Sequence, residues 1–339
     1  MTVFTRSLAA VAAAAVLATG AARAQDDATV INWGLLAVES QDNLMKRWGP
    51  LLEALSAEMG VEVKPFFATD YTGVIEGMRF GKVDVVLAGN KSGMTAVDRA
   101  NAEVFAQEVE ADGSAGYYSV LVTQADNEAF NSLEDVLATC EAKSIDFGIG
   151  DPQSTSGFLV PTTFIFAANE ITPQECFSTV RNASHEANLL AVANGQVDVA
   201  TANTSALYAR LQVNNPEAFA KVKEIWRSPL IASDPLLWRA DMDEDLKAKL
   251  YYSIMTFGRI GTPEEVMRER EILANGGFRP FTPSSNSQLL PFREMEANKA
   301  ILQIQVDETM SAEEKEAAIA EQREIIANVR ELVKQIPNM

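Results

Sequence analysis

Histidine occurs once in these 339 residues, at His185, and cysteine twice, at Cys140 and Cys176. So few soft ligands exclude a His/Cys metal centre, because a bound zinc needs three or four such groups in one place. Basic residues are scarce as well, with 28 Lys and Arg against 47 Asp and Glu and a formal net charge of -19. A surface this acidic repels nucleic acid and anionic lipid, and no basic run is present to contact a phosphate backbone. Beyond the N-terminal apolar segment, no stretch approaches the ~20 residues of a membrane span. Nucleotide and esterase signatures are missing too. Gly148-Ile149-Gly150 lacks the third glycine of a dinucleotide fingerprint, no Lys follows it as in a P-loop, and G-x-S-x-G occurs nowhere. No cofactor is expected.

What is present begins with a leader. Arg6, an apolar run from Leu8 to Ala18 and the pattern Ala22-Arg23-Ala24 make a secretory signal peptide, with cleavage expected after Ala24 and the mature chain exported. In an oxidising compartment Cys140 and Cys176 are candidates for a disulfide, each lying just ahead of a predicted strand; two separate buried thiols are the alternative. The mature length, roughly twice a typical domain, predicts two domains.

Strand and helix patterns alternate along the mature chain. The expected order is strand 30–36, helix 43–59, strand 61–67, helix 71–80, strand 83–87 and helix 92–100. A second series follows: strand 118–123, helix 133–139, strand 144–149, helix 158–169, strand 178–182, helix 186–194, strand 197–201, a helix through Leu207, and strand 222–226. Short connections and largely apolar strands imply an α/β fold with mainly parallel sheets. The extended stretch SPLIASDPLLWR, 228–239, reads as a return crossing. The lobes are then 25–120 plus 235–300 and 121–234, with a helical extension at 301–339. Ser311-Ala312-Glu313-Glu314 is a capping box. Ile319, Ile326 and Val333 follow every seventh residue, a stripe that packs on its own domain or, in a homodimer, on a second copy.

Two such lobes enclose a cleft, and open sheets bind ligands beyond the carboxyl ends of their strands. Ser154-Thr155-Ser156-Gly157 sits there, after a strand and at the start of a helix. Its backbone amides lack intrahelical partners, and three hydroxyls add donors without charge, which suits a tetrahedral oxyanion. An ordinary helix cap would need one hydroxyl, and the motif alone leaves both readings open. His185 occupies the equivalent place one unit later, as an anion contact or as a capping or core residue. Tyr71 and Tyr117 border strands of the first lobe, where they wall the cleft or fill its core. Asp234, in the return crossing, either accepts from a ligand amine or caps the following segment.

The stretches FFATDYTGVIEGMRFGKVDVVLAGN, GDPQSTSGFLVP, SHEANLLAVANGQVDVATANT and IWRSPLIASDPLLWR closely resemble the phosphonate-binding periplasmic proteins, the solute-binding components of phosphonate ABC importers. The resemblance runs from about residue 30 to residue 295. It implies a two-lobed type II periplasmic-binding fold that closes on its ligand and delivers it to a membrane permease. It implies that Ser154, Thr155, Ser156, Tyr71, Tyr117 and His185 hold the phosphonate oxygens and that Asp234 faces the organic end. Members taking aminoalkyl phosphonates carry a second acid where this chain has Ser205, so a blunted preference for an amine is expected. Phosphite or phosphate shares the tetrahedral head, and a sensor subunit could use the same fold. An exported hydrolase built on a Ser with His185 and Asp234 lacks any local nucleophile and base signature.

Overall fold

The computed structural model describes residues 29–336, so the leader and its cleavage position lie outside the described residues. In the first lobe β1 (Val30–Leu35), β2 (Glu62–Phe67) and β3 (Val85–Leu87) run parallel, and β4 (Ala102–Glu110) follows with the opposite sense to its neighbours. Helix Gln41–Met59 begins where Ser40 accepts from the Asn43 amide, and it buries Leu44, Trp48, Leu51, Leu52 and Leu55 against one face of the sheet. Helices Tyr71–Arg79 and Asn90–Arg99 cover the other face with Val74, Met78 and Met94.

The chain then crosses through β5 (Gly116–Tyr117) into the second lobe. There β6 (Ser119–Gln124), β7 (Asp146–Ile149), β8 (Thr179–Asn182), β9 (Val199–Asn203) and β10 (Val222–Arg227) form a five-stranded sheet in the order β10-β6-β9-β7-β8. The return runs through β11 (Ile231–Ala232) into β12 (Pro235–Arg239), which inserts between β3 and β4, and β13 (Phe278–Pro283) completes the first sheet in the order β13-β4-β12-β3-β1-β2. Both sheets are therefore mixed rather than mainly parallel. The strands that carry the chain into a lobe, β6 and β12, run against the βαβ strands beside them, β9 and β3, because each crossing enters from the opposite end.

The two crossings pair with each other as a short antiparallel ribbon, with Ile231 opposite Tyr117 and Ala232 opposite Gly116. A side chain at Gly116 would collide with the backbone of Ile231 and Ala232, so only glycine permits this approach. Two strands escape the sequence pattern. In β4, acidic residues on both faces mask the alternation, and β13 follows two helices as a single strand.

The final helix, Ala312–Gln335, folds back on helix Leu290–Val306 of the same chain. Ile326 and Val329 are buried there, and Arg330 Nη2 lies 2.6 Å from Glu294 Oε1. Of the heptad stripe Ile326 faces inward, while Val333 remains exposed. The stripe is thus met within the chain at Ile326 and not at Val333.

Cys140 and Cys176 are joined, closing a loop of sequence separation 36 between the entries to the adjacent parallel strands β7 and β8. On the chain-entropy estimate such a closure stabilises by about 3–4 kcal/mol. The Cys140→Ser, Cys176→Ser double variant is expected to lose about that much in denaturant unfolding. Because the bond lies wholly inside the second lobe and away from the cleft, ligand affinity should be unchanged; a matching loss of affinity would contradict this.

Candidate functional site

A cavity of about 830 Å³ lies between the lobes. It brings together all eight residues singled out in the sequence: Tyr71, Tyr117, Ser154, Thr155, Ser156, His185, Ser205 and Asp234. At one end stands the hydroxyl run. β7 ends at Ile149, and the helix that follows opens with a wide turn in which the Leu159 amide reaches back five residues to the Ser154 carbonyl at 3.0 Å. Ser154 Oγ accepts from the Gly157 amide at 3.0 Å, and Ser156 Oγ accepts from Asn203 Nδ2 at 3.1 Å. Thr155 Oγ1 accepts from the Lys91 amide, in the other lobe, at 2.8 Å. Each hydroxyl oxygen already receives a proton from the protein, which leaves its own proton to donate. The run is a helix cap and a cluster of donors at once.

His185 opens helix His185–Ala193, with Nε2 3.4 Å from Ser154 Oγ and 3.5 Å from Ser156 Oγ. Burial, reinforced by Arg210, pushes its imidazole down to about 3, so the ring is neutral at physiological pH and brings no charge. Its Nδ1 meets no hydrogen-bond partner among the described residues. Among the described residues no carboxylate orients the ring, as a serine hydrolase base requires. Tyr71 is buried in the first turn of its helix, where its amide donates to Asp151 Oδ2 across the lobes at 3.2 Å.

The other end is acidic. Tyr117 donates its hydroxyl proton to Asp234 Oδ1 at 2.7 Å, so in this closed arrangement that proton serves the carboxylate rather than the anion end. Glu108 and Glu110, two apart on β4 and hence on one face, line the same cavity. The Asp234 amide lies 3.4 Å from Glu108 Oε1, and the Glu108 amide donates to the Asp234 carbonyl at 3.0 Å. Ser205 Oγ donates to Glu110 Oε2 at 3.2 Å. The position read from sequence as the loss of an acid therefore sits against one. Burial raises Asp234 to about 7, with Glu110 adding to the rise against the bond from Tyr117. Glu108 is raised well above the carboxylate range by burial and by Asp234 and Glu110. The signal that could have revealed these acids is the pair in EVEADGS, at the end of a strand that the sequence pattern did not disclose.

Further bonds hold the lobes together across the cleft mouth. Ser40 N and Asn43 Nδ2 each donate to Glu186 at 2.6 Å, and Thr95 Oγ1 donates to Gln153 Oε1 at 2.7 Å. A Cβ at Gly89 would come within 2.9 Å of Thr155 Oγ1, so the contact through Lys91 depends on a bare backbone there.

Two α/β lobes joined by a paired double crossing, closed over a cleft with helix N-termini at one end, define a solute-binding protein of the type II periplasmic-binding fold. Residues 33–289 match the family described as the periplasmic substrate-binding protein of phosphonate ABC transporters. The chain is 45% identical over 300 residues to the phosphonates-binding periplasmic protein of Escherichia coli (strain K12), covering 88% of this chain and 86% of that protein. A solved structure of a binding protein component of an ABC phosphonate transporter from Pseudomonas aeruginosa is 43% identical, with a TM-score of 0.86 over 91% of this chain and 99% of that one. A Prochlorococcus marinus (MIT 9301) structure in complex with methylphosphonate shares the fold at 23% identity and a TM-score of 0.69, covering 80% and 100% of the two chains. The chain belongs to the phosphonate-binding periplasmic proteins of ABC transporters, a family of substrate-binding proteins and not of enzymes.

The acidic end has a consequence for stability. Folded Asp234 holds its proton up to about 7, whereas the unfolded chain releases it near the ordinary value of 3.8, so its contribution to stability is lost as pH rises through that window. Asparagine keeps the bond from Tyr117 without the charge. Asp234→Asn is expected to stabilise the ligand-free protein by about 2 kcal/mol at pH 8, a figure reduced from the full shift because the carboxylate keeps contact with the cleft, and by nothing near pH 4. Calorimetry at the two pH values checks this, and an equal gain at both would show that charge is not the cause.

Proposed function

We propose that this protein captures a phosphonate between its lobes and delivers it to the membrane permease of an ABC importer, in the periplasm, after a leader is cleaved behind Ala24. The observation that carries the reading is the hydroxyl geometry. Ser154, Thr155 and Ser156 each accept from the protein and keep one proton for the ligand. Three donors converging at a helix N-terminus suit the three oxygens of a tetrahedral head group. Tyr71 and neutral His185 stand beside these hydroxyls, within hydrogen-bond reach of them, while Tyr117 and Asp234 border the organic end. Neutral dipoles also suit a carrier, because a ligand held without a fixed cation is released more readily when the lobes part.

The same cleft argues against phosphite or phosphate as the main cargo. Either ion would occupy only the hydroxyl end of a cavity of about 830 Å³ and would leave the carboxyl groups beyond it without a partner. At the C-terminus, Ile326 and Val329 face the preceding helix of the same chain.

Replacing Ser154, Thr155 and Ser156 together by Ala is expected to weaken methylphosphonate binding by more than roughly a hundredfold in calorimetric titration, since each hydrogen bond to a charged group contributes about 1.5–3 kcal/mol. Circular dichroism should stay unchanged. Binding within about tenfold of the parent would place the anion cradle elsewhere.

A further inference from the structure

Resting on the phosphonate reading, we propose that Glu108 and Glu110 are specificity-determining residues that, with Asp234, hold a cationic tail on the ligand. Their strand β4 thereby supplies the charge that the facing helix position, Ser205, does not. Four observations meet here. The three carboxylates line one wall of the cavity whose other end carries the hydroxyl donors. None of them takes part in an ion pair among the described residues. Glu108 is 7% exposed, and its Oε2 accepts no hydrogen bond from the described residues. Glu110 is tied only to the Ser205 hydroxyl, a neutral donor that orients it without discharging it.

Two arginines border the same cavity. Arg47 lies 3.7 Å from Glu39 and donates Nε to the Gly276 carbonyl; it pairs with none of the three carboxylates among the described residues and lowers them only through space. Arg210 makes no ion pair among the described residues and lowers Glu110 and Asp234 only through space. Buried carboxylates without a bonded cation are costly, and a ligand that brings an ammonium group removes the cost. An uncharged alkyl tail leaves it in place. The preferred ligand is therefore a phosphonate with a protonated amine one or two carbons from phosphorus, and the discrimination resides on the strand.

The probes are 2-aminoethylphosphonate and n-propylphosphonate, which differ by an ammonium group in place of a methyl. In calorimetric titration the parent protein is expected to bind the aminophosphonate at least about a hundredfold more tightly. Glu108→Gln and Glu110→Gln should each weaken aminophosphonate binding at least about tenfold while n-propylphosphonate binding holds or improves, a readout that also reports an intact fold. Adding Ser205→Glu to Glu110→Gln should restore the preference, because position 205 faces the lost carboxylate. Equal affinity of the parent for the two ligands, or Gln variants that leave their ratio unchanged, would overturn this inference and leave the phosphonate reading standing. Binding of neither ligand would overturn both.

Discussion

The amides of Gly157 and Lys91 and the side-chain amide of Asn203 each donate to one hydroxyl oxygen in the run 154–156, and the cleft is organised around the protons this leaves free. Three different elements supply those donors: the helix itself, a helix of the opposite lobe, and the end of β9. The Lys91 bond exists only when the lobes meet. Closure and the orientation of Thr155 are thus one event, and the donor set is complete only in the closed form.

Opposite this neutral donor end stand carboxylates packed against the hinge. Tyr117 belongs to one crossing and Asp234 to the other, and their bond joins the two chain segments on which the lobes turn. Glu108 is tied to Asp234 twice, its amide donating to the Asp234 carbonyl and its carboxylate accepting from the Asp234 amide. The cleft therefore has a sense, with hydroxyl and amide dipoles at one end and carboxyl groups without a bonded cation at the other. A ligand with a distinct head and tail can settle in only one orientation. Because the acidic end is also the hinge, whatever charge enters there acts on the segments that bend.

Much of this was legible in the sequence, for identifiable reasons. The βαβ strands are apolar and short-connected, and the apolar face of helix Gln41–Met59 recurs at helical spacing. The two cysteines each precede a strand, and adjacency of those strands places them together. All eight residues singled out reach one cavity because each follows a strand or lies in a crossing. What escaped did so on β4, whose acids fall on both faces, so that no period-two pattern emerges from AEVFAQEVE. With the strand went Glu108 and Glu110, and with them the charge at the organic end. Ser205 looked like a deficit because a residue read singly does not reveal what stands opposite it. The charge of His185 likewise depended on burial, which sequence alone does not express.

Gly116 and Gly89 lie outside the set of ligand donors, yet neither tolerates a methyl group where it sits. At Gly116 the carbonyl of Ile231 occupies the place of a Cβ, and at Gly89 the hydroxyl of Thr155 crowds it. One permits the crossings to lie side by side, and the other lets the lobes come into contact. In terms of mutational tolerance, the motion is as demanding as the chemistry. Among variants of this chain, alanine at either glycine should be as rare as the loss of a hydroxyl donor, although it would leave every side chain of the cradle in place.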